Sequence, residues 1–481
     1  MESLKEKTAK GLFWGSINSG LQQILNLVFG IILGRLLCPA DYGMIGMLTI
    51  FTAIANTLQE SGFTSALTNK KDVCHDDYNA VFWFSVLCGL LMYVILFCSA
   101  PLIARFYNKP ELTPLARYVF LSFLFSSTST AHNAYLFRNM MVKQRAKAML
   151  PALALSGLIG IAMAYCGMSY WGLATQSLVY VIIVNISFWH YSHWHPTFHI
   201  DFRPLKSMFG FSSKILITNV FTQINGNILS AILGKFYSVS EVGHYTQSNK
   251  WNTLAYYFIS GTVNYVAQPV LSQVSNDKER LCSVLRKMLR FSVFLSFPAL
   301  LGLALVSHEL IVITITEKWI ACVPLMQTLC IWGAFAPITT LYSNLLISRG
   351  KSNLFMWNTV ALSLLQMTVL LACNPYGIVW MIRCFVLLNI LYILVWQHFI
   401  TKETGLTLFM AIRDILPFAI IGAMTTLATW LITLWISNIY ILFVAKIVIG
   451  VLLYAGVMKV LHVAIFTECM DFFLQRFRKK H

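Results

Sequence analysis

Apolar residues run along this chain in blocks of about twenty, separated by short stretches where Lys, Arg, Asp, Asn and Gly collect. A block of that length is what an α-helix needs to cross the hydrocarbon core of a bilayer. The pattern predicts helical cores near residues 12–34, 43–67, 80–103, 118–137, 149–166, 171–189 and 215–234. It predicts seven more near 251–271, 291–315, 323–347, 354–373, 377–398, 415–435 and 438–458. The fifth, sixth and eighth carry the weakest pattern. The expected fold is an all-α polytopic membrane protein of about fourteen transmembrane helices, with no loop long enough to fold as a separate domain.

The charges order these spans. Of the 35 Lys and Arg residues, 25 fall in the termini and in every second loop, 7 in the opposite loops, and three (Arg383, Lys446 and Lys459) in or beside spans. Basic residues concentrate in cytoplasmic loops, so both termini are expected in the cytoplasm, which requires an even number of spans. Lys5, Lys7 and Lys10 precede a long apolar stretch with no small-residue cleavage site, and this reads as an uncleaved first helix.

Composition agrees. Hydrophobic residues make up 58% of the chain and charged residues only 11%, against roughly a quarter in soluble domains. The net charge of +17 would suggest nucleic acid in a soluble protein. Here it lies in short interhelical loops, where it signals topology and contact with anionic membrane lipids, and no nucleic-acid partner is expected. The 11 cysteines include no C-x-x-C pair. Cys88, Cys98, Cys330 and Cys384 sit inside apolar runs as small hydrophobes, so neither a disulfide framework nor a zinc site is expected.

The chain also repeats at an offset of 200 residues. Leu33-Gly34-Arg35 returns as Leu233-Gly234-Lys235, Asp41 and Gly43 return as Glu241 and Gly243, and Gln23 returns as Gln223. Gly34 and Gly43 are expected to be turn residues bracketing the first extracytoplasmic loop. Pro114-Leu115 and Pro324-Leu325 echo each other at the starts of the fourth and tenth spans. The repeat divides the chain into an N-terminal six-helix bundle (1–203), a C-terminal six-helix bundle (204–402), and two further spans with a basic tail (403–481). Six is even, so the bundles are parallel repeats about an axis along the membrane normal. Two such bundles with a cleft between them suit alternating access; a duplicated scaffold without a transport role is the alternative.

Polar residues inside the spans supply the candidate chemistry. The first span carries Asn18, Gln22 and Asn26 at i, i+4 and i+8, beside Gln23; the seventh carries Asn219, Gln223 and Asn227 at the same spacing, with Thr222 and Asn225. That spacing puts each set on one helix face. Amides facing hydrocarbon are costly, so the stripes are expected to line a polar cavity or to bond helices together. Arg383 and Lys446 fall within spans, and each needs a partner or water. Arg35 and Lys235 end the first and seventh spans, where snorkelling and anion binding are both open. Glu60 and Glu309 are candidates for proton or cation coupling, or for pairing with a nearby base. His190, His193, His195 and His199 cluster before the seventh span and read as a wet interfacial loop rather than a metal site. No phosphate loop, nucleophile elbow or paired catalytic carboxylates appear, and no cofactor is expected.

Gly11-Leu12-Phe13-Trp14 and the run Leu33-Gly34-Arg35-Leu36-Leu37-Cys38-Pro39-Ala40-Asp41-Tyr42-Gly43 resemble the signature of polysaccharide exporters. So do Glu60-Ser61-Gly62-Phe63, Phe106-Tyr107-x-x-Pro110 and Leu115-x-Arg117. These exporters are the lipid-linked oligosaccharide flippases of the superfamily that also holds multidrug exporters and the lipid II flippase, and the colanic-acid and teichuronic-acid branch is the most similar. The resemblance implies a non-enzymatic flippase of the bacterial cytoplasmic membrane. It would move a polyprenyl-diphosphate-linked glycan to the outer leaflet, with H+ or Na+ coupling common in the superfamily. Glycosyltransferases and a glycan polymerase of the same pathway would be its partners. Arg35, Lys250 and Arg383 are the expected anchors for the diphosphate, Arg383 foremost because its position is hardest to explain by snorkelling. A cation-coupled multidrug exporter is the rival of the same class. A membrane-embedded glycan polymerase or acyltransferase is the rival enzyme, disfavoured by short loops and by the scatter of His132, His308 and His462.

Overall fold

The computed structural model of the chain describes residues 4–60, 67, 73–274, 277–468 and 470. Ser61-Gly62-Phe63 and the tail 471–481 lie outside the described residues, as do the side chains of Glu60 and Asn264 and those preceding Asn18. Two compact units emerge, Met1–Gly243 and His244–His481.

The first unit begins with α1 (Leu4–Leu36), α2 (Pro39–Glu60) and α3 (His75–Tyr107). The fourth predicted span is two helices, α4 (Leu112–Ser127) and α5 (Thr130–Arg138). Then come α6 (Val142–Tyr165), α7 (Tyr170–Tyr191) and α8 (Arg203–Phe236). Packing is sequential and antiparallel: α3 lies on α4 and α6 on α7, while α1 packs against α6 and α8 lies along α2 and α3.

The helix α9 (Val239–Gln273) starts in the first unit and runs into the second. The second unit then holds α10 (Lys278–Leu305), the short α11 (Ser307–Ile315), α12 (Cys322–Ser348), α13 (Ser352–Cys373) and α14 (Ile378–Thr404). It closes with α15 (Leu408–Thr433) and α16 (Ile439–Val460). α12 is its centre, packed on α10 and α14, while α15 bridges α10 and α16. Side-chain caps start several helices. Asp277 accepts from Arg280 N at 3.1 Å, Thr407 from Met410 N at 3.3 Å, and Asn438 from Tyr440 N at 3.0 Å.

Ten of the described helical stretches are long and apolar enough to cross a membrane. They include α6 and α7, two of the three weakest spans in the sequence, whereas α9, the third, is not among them.

The 200-residue repeat acquires a physical meaning here, and Gly43 a corrected one. Gly43 lies inside α2 rather than in a turn. A Cβ built there would strike the backbone carbonyl of Val239, and one built on Gly243 would strike the carbonyl of Pro39. The start of α2 and the start of α9 thus seat against each other reciprocally, each through a glycine that lets backbone touch backbone. The acids of the repeat cap these helices. Asp41 Oδ2 accepts from Cys38 N at 2.8 Å, and Glu241 Oε2 accepts from Ser238 N at 2.9 Å. Asp41 also accepts from the Ser169 hydroxyl, which ties the α6–α7 turn to the same place.

Candidate functional site

The amide stripes belong to the first unit. Asn18 and Gln22 on α1, and Gln223 and Asn227 on α8, are partly exposed, while Gln23, Asn26 and Asn219 are exposed. Their bonds stay at home. Gln22 Nε2 donates to Asn18 Oδ1 at 3.5 Å, and Asn227 Nδ2 donates to the Gln223 carbonyl at 2.9 Å. Thr222 likewise bonds the Thr218 carbonyl one turn back, at 2.8 Å. Among the described residues, none of the seven amides bonds a neighbouring helix. Amides acting as glue reach across an interface; these instead present donors and acceptors on accessible faces.

The basic candidates separate into distinct settings. Arg35 is exposed at the end of α1. Its repeat partner Lys235 is spoken for: Nζ donates to the Phe106 carbonyl at 2.6 Å and lies 4.7 Å from the Phe106 ring centroid, over the C-terminal end of α3. Arg383 is the sixth residue of α14 and is exposed, its guanidinium 5.1 Å from the ring centroid of Trp380, itself 57% exposed. An Arg stacked on an exposed Trp near a helix start is what a membrane interface anchor looks like. Interfacial anchoring is thus a second account of Arg383 beside the diphosphate contact.

Lys250 has a different setting. The sequence pattern put it at a helix start, but α9 begins at Val239, so Lys250 sits about 16 Å along the helix at 1.5 Å per residue. It is half-buried and makes no hydrogen bond or ion pair among the described residues. On the same stretch of α9, Gln247 Oε1, Trp251 Nε1 and Asn252 Oδ1 are buried and have no hydrogen-bond partner among the described residues. Buried polar atoms are nearly always paired, and each orphan costs about 1–3 kcal/mol. Of these, Gln247 lies one turn from Lys250 on its side of the helix, while Asn252 points to the opposite face, against Gly333.

Of the acidic candidates, Glu309 is engaged. Lys446 Nζ lies 2.7 Å from Glu309 Oε1 and 3.3 Å from the Leu305 carbonyl. Lys446 thereby stands at the C-terminal end of α10 and Glu309 in the first turn of α11, where each charge complements the helix dipole it faces. The mid-span cation has found its partner at a helix break. Glu60 ends α2, with its side chain outside the described residues.

The histidine loop also has a structure. Trp194 is buried, its indole N–H donates to His75 Nδ1 at 3.0 Å, and Asn79 holds the loop by accepting from Thr197 N at 2.9 Å and donating to the His199 carbonyl at 2.5 Å. The loop before α8 is thus docked on the start of α3. His132 of α5 lies fully buried against Trp189, Trp194 and Phe82.

A family model described as polysaccharide biosynthesis protein matches residues 32–324. The chain belongs to this family. Its relatives include the teichuronic acid biosynthesis protein TuaB of Bacillus subtilis, 24% identical over 440 residues and covering 89% of each chain. The lipopolysaccharide biosynthesis protein WzxC of Escherichia coli is 22% identical over 397 residues, or 81% of this chain and 80% of the relative. Among solved structures, the lipid II flippase MurJ in an inward closed conformation superposes with a TM-score of 0.75 at 16% identity, over 96% of this chain and 99% of that one. An inward-facing MATE multidrug transporter gives 0.62 at 15% identity, over 80% and 96%. At such identities the likeness is one of fold, and it places this polysaccharide biosynthesis family member on the scaffold those transporters share. The exporter resemblance seen in the helix-1 exit motif is therefore borne out. Sequence reading passed over Asp414, a lone acid at the edge of a span that holds Arg286 at 2.7 Å and Arg290 at 2.6 Å, because nothing local distinguishes such an acid from a solvated charge.

Proposed function

We propose that this protein is a flippase that moves polyprenyl-diphosphate-linked oligosaccharide across the bacterial cytoplasmic membrane by alternating access. The observation that carries the reading is the pair of accessible amide stripes at repeat-equivalent positions of α1 and α8, where the Asn18–Gln22 and Gln223–Asn227 bonds run along their own helices. A glycan rich in hydroxyls needs such groups in place of water, since each bare polar group costs several kcal/mol in hydrocarbon. TuaB and WzxC are named for polysaccharide biosynthesis and MurJ for flipping a lipid, which supports the substrate class.

Fourteen spans with both termini cytoplasmic are part of the proposal. Contacts between loops support the alternation it requires. Arg138 Nη1 reaches the Leu67 carbonyl at 2.8 Å, Asn79 holds the loop before α8, and Glu403 at the end of α14 meets Arg349 at 3.5 Å. Each links loops expected on the same face.

Lys250 and Arg35 are the residues we assign to the diphosphate, in that order, with Asn18, Gln22, Gln23, Asn219 and Gln223 toward the glycan. Glu60 is the carboxylate to test for H+ or Na+ coupling, since Glu309 already holds a cation. The deciding experiment follows movement of a fluorescent polyprenyl-diphosphate oligosaccharide in proteoliposomes. Lys250→Gln is expected to lose about tenfold or more in rate at unchanged membrane abundance, with Arg383→Gln near wild type. A protein that exports cationic dyes but leaves this lipid in its starting leaflet would overturn the reading.

A further inference from the structure

At one end of the second unit, the start of α10, the end of α14, the start of α15 and residues 464–468 surround an open cavity of about 780 Å³. Five cations line it, Lys278, Arg286, Lys287, Arg290 and Lys402, against two carboxylates, Glu279 and Glu468. Beneath them lies Asp414, its side chain only 2% exposed. Arg286 donates to Asp414 through Nε at 2.7 Å and Nη2 at 3.1 Å, and Arg290 through Nε at 2.6 Å. One buried acid thus orients two guanidinium forks while neutralising one of them. Nη1 of each fork makes no hydrogen bond among the described residues, and both arginines remain partly exposed at the cavity wall. Lys287 pairs with Glu468 at 2.7 Å, but the two side chains are 66% and 58% exposed, so that bridge contributes little and opens at small cost.

The cavity adjoins apolar surface. Met410 and Ile465 form part of its wall, and Phe409, next to Met410 in the first turn of α15, is 76% exposed. A soluble anion would have no use for that flank. A ligand with a phosphate head and acyl chains would use both parts: two fixed guanidinium forks suit phosphate oxygens, and lipid tails suit the α15 face. The cavity also lies at the ends of α10 and α15 that the charge bias puts in the cytoplasm, beside the leaflet whose anionic lipids attract basic clusters.

We propose that this cavity is a binding site for the headgroup of an anionic phospholipid, seated on Arg286 and Arg290 and tethered by Lys287 and Lys402. Occupancy bridges α10, α14, α15 and the helical residues 464–468, so the lipid acts as a staple of the second unit.

The test uses the full-length protein in nanodiscs, with bound lipid quantified by mass spectrometry and thermal unfolding measured in parallel. Phosphatidylglycerol is expected to be retained in preference to phosphatidylcholine and to raise the unfolding midpoint. Each cation near a membrane surface contributes about fivefold to affinity for anionic lipid. Lys287→Gln with Lys402→Gln should therefore cut the preference by roughly 25-fold. These side chains hold up no buried group, so the double variant keeps the test open if Arg290→Gln fails to accumulate. Equal retention of the two lipids, or an unchanged preference in the double variant, overturns the proposal. Complete displacement by millimolar inorganic phosphate would make it a plain anion site and overturn the lipid assignment. Displacement of phosphatidylglycerol by equimolar polyprenyl diphosphate would give the cavity to the transported lipid and overturn it likewise.

Discussion

Two sets of amides in this protein have opposite fates. In the second unit they are buried and reach across helices. Gln366 Nε2 donates to Asn389 Oδ1 at 3.0 Å between α13 and α14. The Tyr392 hydroxyl donates to the Asn358 backbone carbonyl at 2.9 Å and lies 3.4 Å from its side-chain Oδ1. The Tyr342 hydroxyl meets Gln397 Oε1, whose amide in turn donates to the Leu406 carbonyl at 2.8 Å. In the first unit the seven stripe amides on α1 and α8 are accessible, and among the described residues the bonds they make run along their own helix. The same residue types, in predicted spans of both units, thus do two jobs. Buried cross-helix pairs hold helices in a medium that offers no hydrophobic drive for association. Accessible, locally bonded amides leave donors and acceptors open to a polar partner, which is the role proposed for them here.

Substitutions can break this contrast. The largest effect is expected at the buried Glu309–Lys446 pair, the extreme case of polar glue in the second unit. Removing one partner leaves an uncompensated charge, so Lys446→Ala should cost about 3–5 kcal/mol and sharply reduce membrane abundance. Glu309→Leu combined with Lys446→Met should restore much of it. Abundance by immunoblot and a detergent melting curve decide this, and a double variant as depleted as the single would show that the pair does more than neutralise itself.

Next comes the glycine seat. Gly43→Val forces side-chain atoms onto the Val239 carbonyl, and overpacking of this kind typically costs about 1–3 kcal/mol. Gly243→Val should match it through Pro39, because the contact is reciprocal. A normal melting curve for either variant would show that the α2–α9 starts do not need to touch.

The amide ladder should respond more mildly. Gln366→Leu strands Asn389 and should lower stability by about 1–3 kcal/mol, whereas Gln366→Leu with Asn389→Leu should recover toward wild type. Export should track abundance in both. The smallest stability change belongs to the first unit. Asn219→Leu and Gln223→Leu should alter melting by less than about 0.5 kcal/mol, yet reduce lipid-linked glycan movement several-fold at normal abundance. If these two instead lose protein before they lose transport, the contrast between glue and lining collapses.

Much of this was legible in the chain, for identifiable reasons. Helix positions follow from apolar block length, which lipid enforces strictly, so even α6 and α7 appeared where weak patterns put them. The breaks at Thr128-Ser129 and Val306 were invisible, because a short interruption in an apolar run keeps the hydropathy of a continuous helix. The repeat was readable, but the job of its glycines was not: a glycine in a turn and one at a helix crossing look alike until the crossing partner is known. Charges were hardest. Arg383 was read as a cation within a span because hydropathy cannot say how near a helix end a residue stands. Trp380, in the first turn of α14, became meaningful only with geometry. Lys250 was placed near a helix start because a polar run, Gln247 to Asn252, reads as a loop when it in fact lies well inside α9.

The reciprocal seat of Gly43 on Val239 and Gly243 on Pro39 also dictates an order of assembly. At about 5–20 residues per second, the ribosome delivers position 239 roughly 10–40 seconds after position 43. Throughout that interval the early spans leave the translocon with the start of α2 uncovered, its glycine facing nothing of its own chain. The first unit is complete only when the opening turn of the second repeat has been threaded in beside it. Biogenesis of this protein therefore contains a waiting period, and a chaperone or insertase that shields the α2 start during those seconds would protect a surface that the finished molecule never shows.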